Sequence, residues 1–156
     1  MIALRPIHKD EFSAFLDYFI QDYAAEITVN YRLSEQDALA QATRDAEQSF
    51  PQAEQTLDQI VLCITLQQDG SEQHIGYFWY KADTVLKSAY INDFYIFERF
   101  RRQGYGSAAM KTLEQKLREE GFIQLKLRVA EGNQQARQLY SANGFCVTGI
   151  NMNKLL

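Results

Sequence analysis

Gly104 and Gly106, in the stretch RRQGYGSAAM, stand between two runs of different periodicity. Before them, SAYINDFYIF is rich in the aromatic and β-branched residues that suit a strand. After them, Ala109, Leu113 and Leu117 recur at helical spacing. The glycines therefore mark a tight strand-to-helix turn, which excludes an all-helical or all-sheet chain. The remaining elements must be arranged around that α/β junction.

Upstream, MIALRPI predicts a short first strand ending at Pro6. Between 9 and 27, Phe12, Phe15, Leu16, Phe19, Ile20, Tyr23 and Ile27 follow the helical period. Ser34, with Asp37 after it, predicts the N-cap of a second, more polar helix running to about Ser49. QIVLCITLQ and HIGYFWYKA are strand-like, and QDGSEQ between them has hairpin chemistry. Downstream, the helix that begins near Tyr105 is stopped by Gly121. FIQLKLRVA alternates, with Ile123, Leu125, Leu127 and Val129 on one side. GNQQARQLYSANGF predicts a short helix capped by Asn133 and closed by Gly144, and two last strands are expected near 146–150 and 151–155. With no repeat, linker or low-complexity segment, the 156 residues read as one α/β domain. Its expected core is a mixed, mostly antiparallel sheet of about six or seven strands flanked by about four helices.

A glycine turn feeding a helix is an anion cradle, and three patterns compete for it. The P-loop fails, because Lys111 and Thr112 follow Met110 instead of glycine. A dinucleotide fingerprint is matched by Gly104, Gly106 and Ala109, with Glu131 ending the next strand. Against it, ERFRRQ intervenes between Phe97 and Gly104, and too little chain follows to build a doubly wound sheet. The third pattern, R-x-x-G-x-G, is supplied by Arg101, Gly104 and Gly106. Its glycines let successive N–H groups converge, the helix N-terminus adds its positive end, and the arginines add forked donors. A pyrophosphate is the natural occupant.

A second motif follows. VAEGNQQARQLYSANGF carries Asn133, Ala136, Leu139, Tyr140, Gly144 and Phe145 in the pattern N-x-x-A-x-x-L-Y-x-x-x-G-F. Together with FYIFERFRRQGYG it resembles the GNAT superfamily of coenzyme A-dependent N-acetyltransferases, over roughly residues 90–147. The resemblance implies that the strand before the turn, at Phe94, Tyr95 and Ile96, splays from its neighbour and offers its backbone to the pantetheine amides. It implies a pyrophosphate on the N–H groups of Arg102, Gln103, Gly104, Tyr105, Gly106 and Ser107, with Arg101 nearby. Asn133 would cap its helix and reach the cofactor arm. Tyr140 would lie near the thioester sulfur and protonate the departing thiolate. Asp93 is the candidate general base, acting through water, with Glu26 as the alternative. The implied activity is transfer of acetyl from acetyl-CoA to a primary amine, by direct attack in a ternary complex and without a metal. A CoA-binding regulatory module without turnover is the alternative from another class.

Charge adds a hint about the acceptor. The net charge of −4 conceals eleven acids against three bases between 8 and 58, and eight bases against three acids between 99 and 128. The basic half agrees with an anion site, and the acidic half predicts a cationic amine as acceptor. No charged flank followed by an apolar stretch opens the chain. Cys63 and Cys146, each in an apolar run, are expected to be buried thiols in a reducing, cytoplasmic setting. His8 and His74 lack metal-ligand spacing and are expected at the surface. Neither nucleic acid nor membrane is expected as a partner, and a homodimer is compatible with this size.

Overall fold

A computed structural model describes residues 1–156. Five strands form one sheet in chain order: β1 (Ile2–Pro6), β2 (Gln59–Gln68), β3 (Ser71–Asp83), β4 (Ser88–Ile96) and β5 (Gln124–Leu127). The first four are antiparallel neighbours, and β5 runs parallel to β4. A parallel neighbour needs a long crossover. Here that crossover is α3 (Tyr105–Glu119), the helix that the glycine turn starts.

Strand side chains alternate between faces, so each strand feeds two cores. Val61, Cys63, Tyr77 and Trp79 meet Phe12, Phe15 and Phe19 of α1 (Phe12–Tyr31). Leu62, Ile64, Phe78 and Tyr80 instead pack with Ala109, Met110, Leu113 and Leu117 of α3. The first core is held by rings: Phe15 lies 5.1 Å from Tyr77 and 6.2 Å from Trp79 in edge-on contacts. Helix α2 (Glu35–Ser49) buries only Ala38, Ala42 and Ala46. Residues that small let it lie close against α1. The predicted caps are in place: Ser34 accepts from the Asp37 N–H at 3.1 Å, and Asn133 from the Ala136 N–H at 3.2 Å at the start of α4 (Gln134–Ala142).

The sheet has five strands rather than six or seven. Residues 145–156 form no strand, and β5 stops at Leu127 instead of continuing to Val129. Alternation specifies a strand only where a ladder partner stands beside it, and after Gly144 the chain leaves the sheet. Cys146, expected to be buried, is exposed for the same reason, whereas Cys63 is buried as expected.

One contact sets how closely β3 and β4 approach. Gly76 pairs with Ile96, and a Cβ on Gly76 would lie 2.1 Å from the Tyr95 carbonyl oxygen. Gly76→Ala must therefore displace backbone, and it should cost about 2–3 kcal/mol in urea unfolding. Gly132→Ala, where a Cβ meets nothing within 4 Å, should stay within about 0.5 kcal/mol of the parent. Equal stabilities for the two variants would show that the sheet can give at Gly76.

Candidate active site

Strands β4 and β5 pair from Ser88–Gln124 to Ile91–Leu127 and then part. The parting coincides with a bulge. On the other edge of β4 the register passes from Ile91 to Asp93, so Asn92 is the extra residue, and bulged strands bend. The opening is a cleft of about 580 Å³. Its walls carry Asp22 and Glu26 from α1, Asp93 and Phe94 from β4, Arg128 after β5, and Asn133 and Tyr140 at α4.

The bulge turns Asp93 toward α1. There the Tyr18 hydroxyl donates to its carboxylate, 3.0 Å from each oxygen. Burial is the main reason the Asp93 carboxyl is pushed up to about 8; the Tyr18 bond opposes the rise, and the charges of Asp22 and Glu26 add to it. Burial likewise raises Asp22 and Glu26 above the ordinary carboxylate range, opposed by Arg101 and Arg128 respectively. The site thus gathers three carboxyl groups that hold protons more tightly than in water. Tyr18 is the residue that sequence reasoning missed. Its signal is the spacing of Tyr18, Asp22 and Glu26 four residues apart, which puts all three on one face of α1.

Tyr140 enters the same cleft from α4. Its ring centroid lies 6.4 Å from Phe94 and 5.6 Å from Phe145. Burial, with Asp93 and Glu26 contributing, pushes its hydroxyl up to about 12, so it stays a proton-bearing donor through the neutral range. Phe94, on the cleft wall, stacks on Phe78 at 4.4 Å, and Ile96 is buried in the α3-side core, so Ile96 can offer only backbone to a ligand. Tyr95 points the other way, 4.2 Å from Tyr18. Across the cleft mouth, Arg128 donates to the Tyr31 hydroxyl at 3.2 Å and lies 3.6 Å from Glu26, tying α1 to the end of β5.

The glycine turn lies beside this cleft. The Arg101 N–H donates to the Glu98 carbonyl and the Ala108 N–H to that of Gly104, but the N–H groups of residues 102–107 find no acceptor in the chain. Arg102 and Gly104 take positive φ, at 62° and 82°, and a Cβ on Gly104 would meet nothing within 4 Å. This is an open concavity of donors at a helix N-terminus, which fits a pyrophosphate. Gly106 serves packing instead, since a Cβ there would lie 2.8 Å from Leu139 of α4. Ser107 accepts from Asn143 at 3.2 Å and joins the two helices again. Arg102 and Gln103 are exposed at the turn, and Tyr105 packs against the α3-side core. Arg101 does not reach over the turn. Its Nε donates to the Ile96 carbonyl at 2.7 Å and its guanidinium lies 4.8 Å from the Tyr95 ring, fastening the end of β4.

His74 departs from its expected surface role. It is half-buried and, with Glu11 and Cys63, brings three potential ligand atoms within 4.8 Å of one another, a grouping made by the sheet that linear spacing hides. Arg5 grips Glu11 through two bonds of 2.8 and 2.9 Å, holding that carboxyl down to about 2, while burial lifts the Cys63 thiol to about 11. His74 itself rests against the Gly76 carbonyl at 2.8 Å.

The pattern of the acetyltransferase (GNAT) family matches residues 13–145. The chain is 29% identical to YdgE, an uncharacterized N-acetyltransferase of Bacillus subtilis, over 99% of this chain and 98% of that one. The crystal structure of YycN, a putative acetyltransferase of the same organism, superposes with a TM-score of 0.92 at 29% identity, covering 100% of this chain and 99% of the other. The PaiA N-acetyltransferase of Thermoplasma acidophilum, solved in complex with coenzyme A, shares the fold at a TM-score of 0.69 and 15% identity, over 97% of this chain and 93% of that one. A family pattern spanning nearly the whole chain, the parted strands and the glycine turn lead to one assignment: the chain belongs to the acetyltransferase (GNAT) family.

Proposed function

We propose that this chain is a one-domain N-acetyltransferase that moves an acetyl group from acetyl-CoA to a primary, cationic amine by direct attack within a ternary complex. The observation that carries the reading is the cleft itself, which holds a buried carboxyl and a protonated phenol on separate walls beside a turn of unpaired amides. An N-acetyltransferase of the same fold, solved in complex with coenzyme A, supports it at the level of architecture. The free thiols of Cys63 and Cys146 agree with work in a reducing cytoplasm.

In this reading the amides of 102–107 hold the pyrophosphate, the free backbone edge of β4 at Phe94, Tyr95 and Ile96 pairs with the pantetheine amides, and Asn133 adds a polar contact. The co-substrate supplies the thioester that the amine attacks. Asp93 takes a proton from the ammonium form of the acceptor, directly or through water. An acceptor amine near pKa 10 is mostly protonated at neutral pH and is inert until that happens. Tyr18 positions the Asp93 carboxylate. The Tyr140 phenol donates to the sulfur as the carbon–sulfur bond breaks. Because that phenol is a weaker acid than a thiol, its contribution is a hydrogen bond that strengthens as charge develops. Asp22 and Glu26, both on the cleft wall, attract the cation.

Tyr140→Phe keeps the ring and deletes the donor. It should lower kcat roughly a hundredfold while leaving acetyl-CoA affinity, measured by calorimetry, nearly unchanged. A kcat within threefold of the parent would reduce Tyr140 to a packing residue.

Asp93→Asn should lower kcat/KM at least roughly a hundredfold, and the rise in parental activity through about pH 8 should vanish with it. It should also alter stability in a definite direction. A carboxyl whose folded pKa lies above its unfolded value binds more protons when folded, so it weakens the fold as pH rises from about 4 toward 8. The loss of melting temperature between pH 5.5 and 8.5 should therefore be smaller in Asp93→Asn than in the parent. An unchanged pH–rate profile, or an equal loss, would remove Asp93 from its assigned role.

Neutralising Asp22 and Glu26 together, as Asp22→Asn with Glu26→Gln, should lower kcat/KM for cationic amines by about tenfold more than for neutral ones at low salt. The difference should shrink at physiological ionic strength, where the screening length is about 8 Å. Equal effects on both classes would show that this wall does not select charge.

A further inference from the structure

One residue spans the mouth of the cleft. Arg128 stands just past the end of β5, and its guanidinium crosses to α1. There it donates to the Tyr31 hydroxyl at 3.2 Å and lies 3.6 Å from Glu26. These two contacts are the only hydrogen bond and ion pair between α1 and the chain beyond β5. Both side chains of the pair are 39% exposed, and exposed pairs hold weakly. Glu26 also accepts from the Asn30 amide at 3.4 Å, so its carboxylate keeps its place at the rim without the arginine. Arg101 offers the contrast. Its charge acts on Asp22, one turn earlier on α1, but its Nε is tied to the Ile96 carbonyl at 2.7 Å and its guanidinium lies over the Tyr95 ring. Arg101 is held from two sides within the fold, whereas Arg128 can be exchanged for another cation.

The chemistry of the transfer gives the cleft's carboxyl groups different tasks. The nitrogen that attacks must shed its proton, and Asp93 is the group assigned to take it. A nitrogen made neutral no longer pairs with an anion, so Glu26 serves a different charge, one that stays on the acceptor throughout. Glu26 lies two helical turns beyond Tyr18, which holds Asp93, or about 12 Å along the axis of α1. We propose that Arg128 is an internal stand-in for part of the acceptor. It occupies, between Glu26 and Tyr31, the place of a second cationic group that the acceptor carries besides the amine that reacts. The acceptor is then a diamine or a longer amine. Ala25, Val29, Leu127 and Val129, also in the cleft lining, suit a hydrocarbon spacer between its two charges. The second ammonium takes Glu26 from Arg128, the guanidinium turns to solvent, and the mouth opens. A monoamine placed at Asp93 has no further charge with which to release the strap, so Arg128 determines specificity. This inference rests on the function proposed above, in that it takes the cleft as the acceptor site.

Calorimetric titration of the full chain with diaminohexane tests the exchange without turnover. Arg128→Gln should bind this diamine about fivefold more tightly than the parent, the gain expected from removing an exposed competing pair. Arg128→Lys restores a competing cation and should return the affinity to within about twofold of the parent. Lys126→Gln removes the same charge from an exposed position of β5 outside the cleft lining. It should leave the affinity within about twofold at physiological ionic strength. Damage to the fold would weaken binding, so a gain confined to Arg128→Gln does not arise from damage. In acetyl transfer, KM for diaminohexane should fall by the same factor in Arg128→Gln, while KM for hexylamine, which has one charge, should change by less than about twofold. Unchanged or weaker diamine binding by Arg128→Gln overturns the proposal, as does an equal gain in Lys126→Gln or for hexylamine. Tighter diamine binding by Arg128→Gln in a chain that acetylates no amine would uphold the exchange of cations at Glu26 and count against the proposed transfer.

Discussion

The parting of β4 from β5 after the Ile91–Leu127 pair is the constraint from which the rest of the site follows. Two parallel strands that stayed paired would occupy the backbone edge of β4 and leave no room for a ligand. Because Asn92 is accommodated as a bulge against β3, β4 bends where β5 ends, and one edge of its backbone is left unpaired inside a cleft. A short connection over residues 97–103 links this free edge to the glycine turn that starts α3, so the turn of open donors and the open strand lie near one another along the chain. Helix α4 closes the cleft from the far side, held to α3 where Gly106 admits Leu139 and where Asn143 reaches Ser107.

Electrostatics divide the cleft along its length. At one end the uncompensated N–H groups of 102–107 and the start of α3 present positive potential. At the other, Asp22 and Glu26 lie close enough to raise the proton affinity of Asp93, and Asp22 that of Glu26. Two arginines stand between these ends, and each is already engaged: Arg101 with Ile96 and Tyr95, Arg128 with Tyr31 and Glu26. They fasten elements together, and the N–H groups of 102–107 are the donors left open at the turn.

The local parts of this arrangement are legible in the sequence, and the assembled parts are not. Ser34 with Asp37, Gly104 before Tyr105, and Asn133 with Ala136 are short-range signals, and each has its expected place. The bond from Tyr18 to Asp93 spans 75 residues, and no local rule connects a tyrosine on an amphipathic helix with a carboxylate on a distant strand. The grouping of Glu11, Cys63 and His74 is likewise made by β2 and β3 lying side by side beneath the start of α1. The two strands expected after Gly144 are absent for a related reason. FCVTGI has the composition of a strand, but composition does not say which edge will receive it.

The close approach at Gly76 has a consequence for how the sheet finds its alignment. Hairpin strands can slide past one another, and a sheet with two apolar faces penalises such slides less than a one-sided sheet does. Here Gly76 meets the backbone of β4 at a spacing that admits no Cβ. If β3 slid by one residue in either direction, Ile75 or Tyr77 would have to occupy that point, and both carry the atom that does not fit. The glycine thus acts as a steric key for β3 against β4. It excludes misaligned hairpins by collision, whatever their hydrophobic gain, and it fixes which residue of β4 stands at the bend.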